Sequence, residues 1–137
     1  MNSFPQYLLR RLIPPDAVRL VGGKIEVTVI NVLMPVTIEH FPDEDFARYV
    51  DIVVDGVPLQ GEQKRDFSYQ LEAHFENNVI NVTRAKEHDG LVIPLGGVVK
   101  LIAPNIWHWN VGETHTIYVR IYDDPPIEVT VECKVSQ

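Results

Sequence analysis

The residues best equipped for chemistry are five histidines, one cysteine and two tryptophans, and they are densest in the tripeptide Trp107-His108-Trp109. In an extended segment both indoles point to one side and His108 to the other. Paired indole faces stack on sugar rings or other flat ligands, and tryptophan is over-represented where binding energy concentrates. With Tyr118 and Tyr122 following closely, Trp107, His108, Trp109 and Tyr118 form the candidate ligand-binding set. Large indoles at a strand end also close apolar cores, and that packing role takes precedence here.

Reactive patterns are otherwise missing. The histidines are His40, His74, His88, His108 and His115; no pair has the four-residue helical spacing or the Cys-x-x-Cys companion of a zinc site. Ligands from different strands can still converge, so spacing leaves a metal site open. Ser3, Ser68 and Ser136 lie in no nucleophile motif. Cys133 alternates in phase with Val129, Val131 and Val135 and reads as a buried, inert thiol. The acid run Asp43-Glu44-Asp45 lacks the spacing of a calcium loop; Asp43 reads as the cap of a short helical turn. Gly22-Gly23 and Gly96-Gly97 read as turns, not as phosphate loops. The sequon Asn81-Val82-Thr83 reads as chance. The expectation is no catalytic residue and no cofactor.

The frame that must carry these residues is bounded by composition. A length of 137 residues fits one domain, read as an N-terminal arm or short helix over 1–15 and a body over 16–137. An apolar share of 45% and a charged share of 23% are those of a globular protein. A net charge of −7 opposes binding to nucleic acid or an anionic membrane surface. No apolar run is long enough to span a bilayer, and Arg10-Arg11 follow rather than precede the short N-terminal apolar stretch. The expectation is a cytoplasmic protein. A single cysteine cannot form an internal disulfide.

Along the body, alternation is the dominant signal. Ala17–Val21, Ile25–Ile30 and Val36–Phe41 read as strands. Tyr49–Val54 and Val57–Gln60 flank Asp55-Gly56, the two-residue hairpin turn. Gly61–Asp66 reads as a polar loop, and Phe67, Tyr69, Leu71, Ala73 and Phe75 as one face of a strand. Val79–Thr83 runs back. Leu91–Leu95, Val98–Ala103, His115–Ile121 and Ile127–Val135 complete about eight or nine short strands, which predicts an all-β, antiparallel β-sandwich, with a barrel as the competing topology.

Two resemblances follow. Val111-Gly112-Glu113-Thr114-His115-Thr116-Ile117-Tyr118-Val119 resembles the penultimate strand of immunoglobulin- and fibronectin-type domains, which implies that kind of sandwich. Glu39 to Gly56 is loosely similar to the His-Pro…Glu-His…strand…Asp-Gly region of superoxide reductases, small sandwiches with iron on four histidines and one cysteine. That likeness implies His40 as a metal ligand. Arg48 and Tyr49 stand near the place of the second histidine, and Cys133 is followed by Lys134, Val135 and Ser136, not by the family's Asn-x-His. A metal-dependent enzyme therefore ranks last among three expectations. First is a non-enzymatic structural or protein-interaction module that self-associates as a homo-oligomer through Ile127, Val129 and Val131, since Ile127–Val135 carries no proline. Second is a carbohydrate- or small-ligand-binding domain built on Trp107 and Trp109.

Overall fold

Alternating β-branched residues give each strand one apolar row, and the chain buries those rows between two antiparallel sheets. The computed structural model describes residues 11–38, 46–122 and 126–137. One sheet sets β1 (Val18–Val21), β2 (Lys24–Ile30), β9 (Val98–Pro104), β6 (Glu72–Phe75) and β7 (Asn78–Asn81) side by side in that order. The other sets β11 (Ile127–Lys134), β10 (Thr114–Ile121), β4 (Val50–Val54) and β5 (Val57–Pro58) side by side. A third, small pairing joins β3 (Val36–Thr37) to β8 (Val92–Ile93). The predicted antiparallel sandwich is the observed architecture. Strands number eleven among the described residues, three of them only two residues long.

Register decides what faces inward. In the four-stranded sheet His115 lies opposite Cys133, Ile117 opposite Val131 and Val54, and Val119 opposite Val129 and Ile52. These side chains meet Val18, Ile25 and Val135 in the main core cluster, where Val18, Cys133 and Val135 are fully buried. The Asp55-Gly56 turn forms as predicted, with φ of 51° and 81°, the conformation a two-residue hairpin needs.

The polar loop expected over Gly61–Asp66 is helical, and the helix runs on into the next segment. The strand expected over Phe67–Phe75 is a helix, α2 (Gly61–Gln70; α1 is Phe46–Tyr49), and only Glu72–Phe75 is strand. Phe67 is buried from within the helix and Leu71, the extended residue that ends it, is buried beside it, whereas Tyr69 between them is exposed. Glu62, Gln63, Lys64 and Arg65 are good helix formers, and the Ser68 hydroxyl donates back to the Lys64 carbonyl at 2.8 Å. The helix crosses from one sheet to the other and sets Phe67 and Leu71, with Leu59 and Ala103, in a second apolar cluster. The charged loop expected over Arg84–Gly90 starts as a 3₁₀ segment, Val82–His88. Arg11 and Leu12 are helical. The predicted cap at Asp43 and the end of the Val36–Phe41 strand lie outside the described residues.

The end of the chain ties the two sheets together. The Ser136 amide donates to the Val18 carbonyl and the Leu20 amide to the Ser136 carbonyl, at 3.0 and 2.9 Å. This covers the free side of β1. Among the described residues no helix is long and apolar enough to cross a membrane.

Candidate functional site

The tryptophan tripeptide is a turn, not an extended segment. Asn105 builds it: its side-chain oxygen accepts the Trp109 amide at 2.8 Å and its side-chain nitrogen donates to the Trp109 carbonyl at 3.0 Å. His108 takes φ of +55° and points to solvent. Asparagine recruits backbone groups in this way, and the turn brings both indoles to one side. Trp107 and Trp109 stack with ring centroids 5.4 Å apart. The edge of Phe67 meets Trp107, also at 5.4 Å.

The stack ends on a histidine. The imidazole of His115 lies on the Trp109 indole, centroids 4.4 Å apart and planes within 8°. Both faces of Trp109 are therefore covered, and the residue is 4% exposed. Both ring nitrogens of His115 meet carboxylates: Nδ1 lies 2.6 Å from Asp55 Oδ2 and Nε2 lies 3.0 Å from Glu113 Oε1. Asp55 comes from the hairpin turn, where Oδ1 accepts the Thr116 amide at 2.9 Å. Glu113 accepts the Asn110 amide at 2.9 Å.

The electrostatics follow from these contacts. Burial alone would push the His115 pKa down, but the hydrogen bonds and charges of Asp55 and Glu113 outweigh it and hold the imidazole above its ordinary value. The Thr116 amide, then His115, holds the Asp55 carboxyl below its usual range. The Asn110 amide, then His115, does the same for Glu113. An imidazolium satisfies both carboxylates at once, since both nitrogens then donate. The same occupancy leaves neither nitrogen free to take a proton from a nucleophile. Cys133, opposite His115, is 1% exposed. Burial, then the charges of Asp55 and Glu132, pushes its thiol up to about 11, so the thiolate that would react is scarce near neutrality.

The other predicted residues are dispersed. Tyr118 points from the opposite face of β10, where its hydroxyl donates to Glu128 at 3.1 Å, so it does not join the indoles. His74 pairs with Glu72 at 3.3 Å on the five-stranded sheet, and His88 ends the 3₁₀ segment. His40 lies outside the described residues. Among the described residues no three His, Cys, Asp or Glu side chains are grouped to hold a metal ion. Val129 and Val131 point into the core, with Ile127 packed against it. At the edge they would offer backbone rather than side chain.

The Asp55-His115-Glu113 grouping was not legible from spacing. Its one sequence signal is indirect: a hairpin aspartate and an alternating strand that begins at Thr114. Only the pairing of β4 with β10, closed by the Asp55 amide donating to the Thr116 carbonyl at 2.8 Å, brings residue 55 beside residue 115.

No family model matches this chain, and no curated protein matches it as a relative.

Proposed function

We propose that this chain is a non-catalytic β-sandwich that works through protein contact, in the first place by joining β11 of one copy to β11 of a second copy. The observation that carries the reading is the character of that edge. β11 is eight residues long, contains no proline and, among the described residues, pairs on one side only, with β10. Such an edge is a template for a further strand. The remaining edges are blunted: β5 has two residues and ends in Pro58, β7 has four, and Ser136 covers β1. Ile13 and Pro15 flank β11 across a hollow of about 210 Å³ lined also by Thr130, Val131 and Glu132. No backbone hydrogen bond joins that segment to β11 among the described residues. The net charge of −7 favours a protein partner over a nucleic acid.

Side-chain parity and charge select one register. A two-fold axis through Val131 sets Glu128 of each copy opposite Lys134 of the other and Thr130 opposite Glu132. Opposite charges across a strand pair are favourable. Moving the axis to Thr130 sets Glu128 against Glu132, and moving it to Glu132 sets that carboxylate against itself. Lys134 and Glu132 have no ion-pair partner among the described residues. Glu128 spends Oε1 on Tyr118 and Arg120.

An edge contact alone buries less than the roughly 1,000 Å² typical of a stable pair, so association is expected to depend on concentration. Sedimentation velocity over a wide concentration range tests the reading. The expected result is a monomer–dimer equilibrium that Lys134→Glu weakens about tenfold and that Glu128→Lys together with Lys134→Glu restores. A monomer at every concentration overturns the proposal; a dimer indifferent to Lys134→Glu overturns the register.

A further inference from the structure

The space between the two sheets is not filled. A partly open cavity of about 110 Å³ lies between them, lined by Trp107 and Trp109, by Phe67 of α2 and Leu71 just past its end, and by Ala103 from the five-stranded sheet. It sits where the two apolar clusters meet, and Trp107 packs against both. Inward-facing residues in mid-strand border this space. Val27, Ile52, Leu101, Ile117 and Val119 all line the cavity and none is fully buried. Close-packed interiors hold few voids larger than a water molecule, and an unfilled one lowers stability in proportion to its volume.

The chemistry of the wall selects the occupant. Every lining side chain is aliphatic or aromatic. The strands that frame the cavity spend their backbone groups on one another. A charged group or a sugar placed there would lose its hydrogen bonds to water without replacement. Water itself needs two to four polar partners, and apolar cavities stay dry. Cavities of about 150 Å³ lined by such residues accept benzene, so this one is near the size of a single small ring.

We propose that this cavity is a binding site for one small, uncharged, apolar molecule, no larger than an aromatic ring or a chain of about six carbons, with the stacked indoles as its end wall. The site is independent of β11 and of self-association, so each stands or falls alone.

Benzene is the probe, with the full chain. Both tryptophans line the cavity, so their emission reports occupancy. The expected result is a saturable change in tryptophan fluorescence and a rise in Tm of about 4 °C at ten times the Kd. Ala103→Leu, which fills the cavity from the sheet, should raise Tm without benzene and abolish the benzene response. Leu71→Phe fills it from the residue that ends α2 and should do the same if Ala103→Leu does not fold. The proposal is overturned if benzene gives no saturable change up to its solubility limit. It is equally overturned if a folded filling variant binds benzene as the native chain does, or if both variants lower Tm.

Discussion

The two ends of β10 hold their charges in opposite ways. At its start, His115 faces inward, lies on an indole and is clasped by Asp55 and Glu113 at 2.6 and 3.0 Å. Toward its end, Tyr118 and Arg120 face outward, with Tyr122 just beyond. There Arg120 meets Glu128 at 3.1 Å and lies over the Tyr122 ring at 4.8 Å. Lys64 reaches Asp51 at 3.2 Å, and the Tyr122 hydroxyl donates to the same aspartate. Both ends set carboxylates around a partner. The partner at the first end is an imidazole, a group whose charge responds to pH and which is held above its ordinary value here; at the second end the partners are a guanidinium and an ammonium. The first end of the strand therefore carries a pH-responsive group at its centre.

The largest effect should come from the indole that supports the first end. Trp109→Ala removes a side chain 4% exposed and covered on both faces, and loss of a buried tryptophan costs about 3–5 kcal/mol. Chemical denaturation should show that loss at pH 6. Arg120→Ala, at the other end, lies at a partly exposed ion pair, whose usual worth is about 0–1 kcal/mol. Equal losses from the two variants would erase the contrast.

The next effect is the pH response of the clamp. His115 has a folded pKa above its ordinary 6.5, so its contribution to stability is complete below about pH 6.5 and is lost as pH rises through the folded value. Asp55 and Glu113 have folded values below 3.8 and 4.5; their contribution is complete above that range and is lost as pH falls through the lowered values. The clamp is whole between roughly pH 4.5 and 6.5. Tm should decline from pH 6 to pH 8 in the native chain, and His115→Gln should flatten that decline. An NMR titration placing the His115 pKa below 6.5 would remove the premise.

Some of this contrast could be read from the chain and some could not. The alternation of Thr114–Ile121 and Ile127–Lys134 gives the strands, and Asp55-Gly56 gives the hairpin, because short-range backbone sterics decide both. Phe67, Tyr69 and Leu71 satisfy two periods at once. Spacing of two reads as a strand, yet Phe67 and Tyr69 are helical and Leu71 ends the helix, and which of the three is buried depends on the neighbouring sheets. The clamp depends on tertiary register alone, as its aspartate and histidine are sixty positions apart. The Trp107–Trp109 stack lies between these cases. The core role expected of an indole at a strand end holds for Trp109, whereas the turn built by Asn105 depends on a side-chain hydrogen bond that periodicity does not report.

The smallest effect belongs to the outer end. The Tyr122 hydroxyl is the leading influence that keeps the Asp51 carboxyl below its usual range, ahead of the hydrogen bond and charge of Lys64. The same bond raises the Tyr122 pKa. Tyr122 is 44% exposed, and water replaces most of what such a bond gives. Tyr122→Phe should therefore leave Tm at pH 7 unchanged while moving the Asp51 pKa upward, read by NMR titration of its carboxyl carbon. The pH dependence of Tm between 6 and 8 should keep its native slope, because the clamp at His115 is untouched. A variant that altered that slope would show the two ends of β10 to be coupled, and the separation drawn between them would not hold.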